Sequence, residues 1–279
     1  MFHTLEMDRF YTAAPLFDEL TRYHLFCAGV VQGKYSGQIW VDDPEQPRTA
    51  LLVKDGFWAY LGGDPANAAF NEALRAGFFN RQIMGAKSGG LLVSVTSDGW
   101  SKTLARLFPD RPPTALPRRH YVARLGAFKE AAAPDGFTLH FIDETLPTGS
   151  LPGDVQKVLE LRAGAAQPDE TAFGYVALYN NQYAAHAVID CIVDGGGDIG
   201  LFTAEAFRRR GLAAATSAAT IAYGLAHGLT AIHWDSAAYN AGSIHTAEKL
   251  GLQFESEHTQ YVLVLNEQGH WINQVWNHL

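Results

Sequence analysis

The segment from Gly211 to Trp234 contains no Lys, Arg, Asp or Glu, and it constrains the fold of this 279-residue chain more than any other feature. It is long enough to span a bilayer, but it is rich in Ala, Ser and Thr and is interrupted at His227-Gly228. Apolar residues recur at spacings of three and four from Leu212 to Ala226, which predicts a helix that ends at the glycine. Thr230 to Asp235 follows as a short strand. The segment therefore predicts a buried helix and a buried strand in a soluble α/β protein.

A cationic turn precedes that helix and follows a strand-like segment, Asp198 to Thr203. A glycine at such a junction lets the backbone approach a ligand, and the free N–H groups at the start of a helix attract an anion. We therefore predict a phosphate-binding loop, the alternative being a solvated turn with an ordinary loop glycine. The residues of the expected loop are Arg208, Arg209, Arg210, Gly211, Leu212 and Ala213.

A second helix is predicted from Asn240 to Leu250, and a last strand follows at 258–265. With these elements in place, the chain resembles the GNAT superfamily of N-acetyltransferases. Arg208, Gly211 and Ala213 match that family's acetyl-CoA motif, and the second helix matches it at Asn240, at Ser243 and at Gly251-Leu252. More narrowly, the run around His233-Trp-Asp235 resembles the zwittermicin A resistance protein-like group. The superfamily resemblance covers about 137–265.

The resemblance implies a fold and a cosubstrate. The fold would be α/β (α+β), with a mixed, mostly antiparallel sheet whose central parallel strands, 198–203 and 231–235, splay apart to hold acetyl-CoA. Asn240 and Ser243 would reach the cofactor from the far side, although Asn240 is also a candidate helix N-cap. The backbone groups expected to hold the thioester and the pantetheine arm are those of Leu201, Phe202 and Thr203. The implied reaction is acetyl transfer to a primary amine of a small molecule, an antibiotic or a metabolite.

Candidates for the general base are carboxylates near the splayed strands. Glu205 is the first choice, and Asp198 and Asp235 are the other two. His186 and His233 alternate with apolar neighbours in strands, which is more typical of a structural histidine than of a proton carrier. For each of these three carboxylates and two histidines, the alternative is a structural or simply solvated side chain.

The general acid departs from the family pattern. GNAT proteins often place a Tyr seven residues after the Asn of the second helix, and that position is Ala247 here. Tyr239 and His258 are substitutes without a motif behind them. A second hypothesis follows from this loss, in which the protein is a catalytically silent acyl-CoA-binding sensor or regulatory module.

Composition excludes several classes of protein. A net charge of −8 argues against general nucleic-acid binding, because polyanion affinity needs an excess of Lys and Arg. Cys27 and Cys191 form no disulfide framework, and the N-terminus has no signal pattern, so we predict a cytoplasmic protein with no membrane partner. No metal-ligand spacing is present, so no metal is expected. The sequence does not indicate an oligomeric state.

The N-terminal half predicts a second α/β domain at 1–131, ahead of the acetyltransferase domain at 132–279. Its short apolar runs at 28–35, 38–41, 50–53 and 57–61 predict an antiparallel meander, and the proline-rich segment 109–117 predicts irregular structure. We expect this domain to wall the acceptor site. No internal repeat is apparent in the sequence. An apolar stripe from Trp271 to Trp276 predicts a C-terminal helix.

Overall fold

The computed structural model describes residues 2–78, 89–146, 151–165 and 171–264. The helices of four or more α-helical residues are α1 Asp18–Thr21, α2 Leu25–Val31, α3 Ala68–Ala73, α4 Gly99–Leu107, α5 Gly153–Ala163, α6 Leu212–Ala226 and α7 Ala241–Lys249. The strands are β1 His3–Thr4, β2 Gln38–Val41, β3 Thr49–Lys54, β4 Trp58–Gly63, β5 Gly90–Val95, β6 Thr114–Ala123, β7 Phe137–Phe141, β8 Phe173–Tyr179, β9 Gln182–Val193, β10 Gly196–Thr203, β11 Ala231–Ala237 and β12 Gln253–Val264.

The chain forms two compact units. The first contains the described residues up to Arg118, with Ala237–Tyr239 and the end of β12 from Glu257 onward. The second contains Arg119–Ser236 and Asn240–Ser256. The division falls inside β6, earlier in the chain than the predicted boundary at 131/132. The reason is that Tyr121 and Ala123 of β6 lie in the hydrophobic core of the second unit.

The first unit is built on strands in the order β1-β2-β3-β4-β5-β12. Neighbours pair antiparallel except β4 and β5, which run parallel. Trp40, Leu51 and Leu61 project from three strands into one core, which also contains Phe70 of α3 and Trp100 of α4. A second core on the other side of the sheet contains residues of the N-terminal helical segments. The predicted strands at 38–41, 50–53 and 57–61 are confirmed within about two residues.

Two predictions in the first unit are wrong. The apolar run at 28–35 was predicted as a strand, but its first half, 28–31, lies in helix α2. A short continuous apolar run has no period that separates a buried strand from a buried helix. The proline-rich segment is not wholly irregular, since β6 begins at Thr114 and includes Pro117. A proline is tolerated near a strand start, where its missing N–H need not interrupt the ladder.

The strands of the second unit follow the order β12-β6-β11-β10-β9-β8-β7. Only part of β6 and part of β12 belong to this unit, because the division between the units falls inside both strands. β10 and β11 are parallel, whereas the pairs β7–β8, β8–β9 and β9–β10 are antiparallel. Helices α6 and α7 cover one face, where Ala218 and Ile244 share a core with Trp234. Helix α5 packs on the opposite face, where Val155 shares a core with Val188. We call this second surface the α5 face.

The two units share one order of elements. In the first, β1 is followed by helices, then β2, β3 and β4, helix α3, the parallel strand β5, helix α4 and β6. In the second, β7 is followed by α5, then β8, β9 and β10, helix α6, the parallel strand β11, helix α7 and β12. The structure thus contains an internal repeat of topology, which we did not predict because the two halves do not repeat in sequence.

Within the described residues, no helix is both long enough and apolar enough to cross a membrane. The predicted C-terminal helix around Trp271 and Trp276 lies outside the described residues.

Candidate active site

A slot opens between β10 and β11 in the second unit. Their parallel pairing covers three residue pairs, and the last of these joins Asp198 to His233. Both strands continue beyond that pair, β10 to Thr203 and β11 to Ala237. The register between β10 and β9 also shifts between Asp198 and Ile199, so β10 bends where the slot begins. We call the position of Asp198 and His233 the apex of the slot. The strand splay that the sequence implied is therefore present.

The edge of β10 that faces the slot offers backbone donors and acceptors. From Ile199 to Thr203 this strand pairs on its other side with β9, while its described register with β11 has already ended. Buried backbone groups in folded proteins almost always find partners, so such an edge is a natural ligand contact. The Thr203 hydroxyl is also buried and has no hydrogen-bond partner among the described residues. Leu201, Phe202 and Thr203 lie along this edge, and their contact with a cofactor stays a prediction.

The cationic loop closes the wide end of the slot. A short 3-10 turn, Glu205–Phe207, leads from β10 into Arg208, Arg209 and Arg210, which are all exposed. Gly211 is the N-cap of α6 with φ +84°, and no side chain caps the helix there. The left-handed conformation explains the glycine. The uncapped first N–H groups of a 15-residue helix and the three arginines are the kind of groups that can hold an anion.

Small residues let α6 lie close against the sheet. Ala214, Ala215 and Ala218 are buried, and Thr220 donates its hydroxyl hydrogen to the Ala187 carbonyl of β9 at 3.1 Å. Close packing fixes the axis of the helix, and hence the direction of its N-terminal N–H groups. The small, uncharged side chains of α6 therefore fix the helix so that its N-terminus lies beside the slot.

Asn240 and Ser243 lie at the start of α7. The Asn240 carbonyl oxygen accepts a hydrogen bond from the Ser243 backbone N–H at 3.0 Å, which confirms the N-cap alternative. The Ser243 hydroxyl oxygen accepts one from Trp234 Nε1, also at 3.0 Å. The cap uses only the side-chain carbonyl oxygen of Asn240, so the side-chain NH2 group can donate to another partner. These contacts tie the α7 N-terminus to β11.

The three predicted carboxylates do not lie together. Asp198 is half-buried at the apex, and Asp235 follows two residues after His233 on β11, so both project to the α5 face. Glu205 is exposed in the turn beyond Thr203, next to the arginine loop. Thr203 lies five positions after Asp198 on β10, which is about 16 Å at 3.3 Å per residue. Glu205 thus lies at the end of the slot that is formed by the arginine loop.

Two histidines meet at the apex. His120 Nε2 on β6 is 3.1 Å from His233 Nδ1 on β11, and the ring centroids are 5.1 Å apart. His120 is buried and His233 half-buried. Burial lowers the pKa of His233, while the Glu255 carboxylate acts to raise it and Arg124 to lower it further. Sequence reasoning weighed His233 but missed His120, because nothing in the sequence shows that β6 lies next to β11.

A second buried histidine lies farther along the α5 face. His186 Nδ1 is 2.9 Å from the Tyr183 hydroxyl, and Nε2 is 3.6 Å from Asp154 Oδ2 at the start of α5. The His186 ring holds the pKa of the Asp154 carboxyl below its ordinary value. Burial, and after it the Asp154 charge, raises the pKa of Tyr183. The ring of Phe202, which is 43% exposed, lies directly across from His186 in the register with β9.

The usual position of the general acid is closed. Ala247 is fully buried in the core that contains Trp234 and Leu250. A side chain at this position projects into the packed interior, not into solvent. Tyr239 and His258, the substitutes named from the sequence, belong to the first unit. Burial raises the pKa of Tyr239.

The first unit does not form an equivalent slot. Its parallel strands β4 and β5 pair over four residue pairs, and the Thr96 N–H then continues the ladder to the Leu61 carbonyl at 3.1 Å. No arginine run follows β4; the segment there is Gly62-Gly-Asp-Pro65, and Asn67 caps α3 through Phe70 N–H. The second unit alone combines splayed strands with a cationic helix start, as far as the described residues show.

Comparison with known proteins identifies the family. The model of the GNAT acetyltransferase family matches residues 14–261, which is most of the chain. The chain belongs to the GNAT acetyltransferase family. It is therefore an acyltransferase, and the GNAT resemblance drawn from the cationic loop is confirmed.

Individual relatives agree with this assignment. The chain is 24% identical over 237 residues to an uncharacterised N-acetyltransferase of Bacillus subtilis, covering 85% of this chain and 89% of the relative. A GCN5-related N-acetyltransferase-like protein from Streptococcus suis superposes with a TM-score of 0.66 at 20% identity, covering 92% of this chain and all of the other. A tandem GNAT protein from the clavulanic acid biosynthesis pathway superposes with a TM-score of 0.59 at 14% identity, covering 95% and 98%. These structures share the mixed, mostly antiparallel fold.

Proposed function

We propose that this protein transfers the acetyl group of acetyl-CoA to a primary amine of a small molecule. The observation that carries the proposal is the slot of the second unit, which begins at Asp198 and His233 and ends at the cationic start of α6. A strand splay supplies backbone groups for an extended chain, and a helix start supplies N–H groups for phosphates. Acetyl-CoA has both parts in that order.

In this proposal each part of acetyl-CoA has its own residues in the slot. The backbone from Arg209 to Ala213 would hold the pyrophosphate, with the arginines supplying opposite charge. The edge of β10 at Leu201–Thr203 would hold the pantetheine arm, and the unpartnered Thr203 hydroxyl fits an amide of that arm. Asn240 and Ser243 would face the arm from the side of α7. The thioester would then lie near the apex.

The acceptor would approach from the α5 face at the apex, because α6 and α7 cover the other face. Asp198 and Asp235 project to this side and would attract an ammonium group, which suits a protein of net charge −8. The proton that the amine loses would be accepted at the apex, where these two carboxylates lie with His233. Glu205 was our first choice from the sequence, but its place beside the arginines favours the other two. The thioester needs no acid at Ala247, since a thiolate is a fairly good leaving group.

The competing candidate is a silent acyl-CoA-binding sensor, and the buried Ala247 favours it. Release of free thiol from acetyl-CoA in the presence of an amine panel separates the two functions. An acetyltransferase releases thiol in proportion to acetylated amine. If the protein binds acetyl-CoA but none of the amines causes thiol release at any pH from 6 to 9, it is a sensor.

A further inference from the structure

We propose that His233 is the catalytic residue that accepts the amine proton, and that His120 is the positioning residue that fixes the tautomer of His233. The inference rests on the proposed acetyl transfer and adds the route of the proton. Neither histidine belongs to the acetyl-CoA motif at Arg208, Gly211 and Ala213.

The location of His233 is set by strand register. It pairs with Asp198 at the last paired position of β10 and β11, so it lies where the slot opens. Residues paired in register share a face, which puts both side chains on the α5 face. The proposed thioester end of the slot and the face from which the amine would approach coincide at this point.

The contact between the two rings fixes what each nitrogen can do. With His120 Nε2 only 3.1 Å from His233 Nδ1, one nitrogen carries the hydrogen and the other accepts it. When His233 Nδ1 is the donor, the lone pair of His233 Nε2 is left for the amine. His120 is buried, so its ring is held in place by packing and acts as a fixed acceptor.

Burial, and not the charged groups around it, keeps His233 neutral and ready to accept a proton. Asp198 faces it from β10, His120 faces it from β6, and Asp235 follows it on β11. Arg124 and Glu255 form an ion pair at 2.6 Å whose two charges act on His233 in opposite directions. Burial dominates and lowers the pKa of His233, so that the ring is a base at neutral pH.

The chemical step balances without a further reagent. The amine nitrogen bonds to the thioester carbon, and His233 Nε2 takes the amine proton while Nδ1 keeps its hydrogen bond to His120. The C–S bond then breaks, and its electron pair leaves with the sulfur. The thiolate takes a proton from water, and the imidazolium returns its proton to solvent.

Steady-state kinetics on four proteins test the proposal: wild type, His233→Gln, His120→Leu and the control His140→Gln. His140 lies on β7, four strands away from β11 in the sheet order, and outside the slot. With the most weakly basic acceptor of the amine panel, wild-type kcat should show an acid limb below the ordinary histidine pKa of about 6.5. His233→Gln should lower kcat about 100-fold or more and abolish the limb. His120→Leu should shift the limb, and the control should leave it unchanged.

Two further measurements separate a chemical role from a structural one. Imidazole should restore part of the kcat of His233→Ala but none to a variant damaged in folding. Nitrogen-15 spectra of histidine-labelled wild type should show His233 neutral at pH 7 with its hydrogen on Nδ1, and this decides the matter even where a variant does not fold.

Each result has a distinct meaning. Full turnover and an unchanged acid limb in His233→Gln would overturn the role of His233 and leave acetyl transfer standing. A hydrogen on His233 Nε2, or a charged ring at pH 7, would do the same. A wild type that turns over no amine would overturn the proposed function and this inference together.

Discussion

Replacing Gly211 with Glu should weaken coenzyme A binding at least tenfold, which is about 1.4 kcal/mol. The reason is electrostatic, because the new carboxylate would lie at the exposed N-cap of α6, where the pyrophosphate is placed. Two unit charges 5 Å apart repel by about 3 kcal/mol at an effective dielectric constant of 20, and by about 0.8 kcal/mol in bulk water. An exposed loop lies between these limits, and so does the figure of about 1.4 kcal/mol for tenfold weaker binding.

The substitution also strains the backbone, and a matched control removes that effect. Gly211 has φ +84° and Gly228, just past the other end of α6, has φ +99°, so an L-residue at either position costs about 1–2 kcal/mol of stability. A β-carbon at Gly228 would have no atom within 4 Å. The 15 residues of α6 separate the two sites by about 22 Å, well beyond a Debye length of about 8 Å. Gly228→Glu should therefore lose similar stability and no affinity.

Calorimetry with coenzyme A on both variants and wild type measures the difference. Thermal unfolding of the same samples shows whether the two variants lose similar stability. If Gly211→Glu binds with the affinity of Gly228→Glu, the arginine loop does not hold the pyrophosphate and the assignment is wrong.

Three more substitutions have expected outcomes. Asn240→Ala should cost about 1 kcal/mol by removing the α7 cap, and calorimetry will show whether coenzyme A affinity falls too; unchanged affinity would limit Asn240 to capping. Ala247→Tyr should lower the melting temperature, because an added ring in a closed core costs about 1–3 kcal/mol or more, and thiol release should not increase; a faster enzyme would show that this position does reach the thioester. The pKa of Asp154 is lowered beside His186, so its contribution to stability is present above the unfolded value of about 3.9 and is lost as the pH falls. The free energy of unfolding, measured with urea at pH 7 and pH 3, should then differ less between the two pH values for Asp154→Asn than for wild type. An equal difference in the two proteins would show that Asp154 makes no such contribution.

The elements that carry the cofactor site could be predicted because their signals are local. The helix at 212–226 has the predicted bounds, since three- and four-residue spacing and a terminal glycine are both local features. Gly211 was singled out as a backbone requirement, and its φ of +84° shows why. The cap of α7 by Asn240 follows from the same kind of short-range pattern.

Features that depend on distant pairing could not be predicted. The His120–His233 contact joins residues far apart in the chain, and only the placement of β6 beside β11 creates it. The end of helix α2 was predicted as part of a strand at 28–35, because a short apolar run does not reveal the packing that buries it. The repeated order of elements was invisible because topology is kept by burial pattern, which many sequences satisfy.

A co-crystal structure with coenzyme A tests the central claim most directly. We predict one molecule per chain, with its pyrophosphate against the N–H groups of Gly211 to Ala213, its pantetheine arm along β10 from Leu201 to Thr203, and its sulfur near Asp198 and His233. Coenzyme A bound between β4 and β5 of the first unit, or bound with its pyrophosphate away from the arginine loop, would contradict the account.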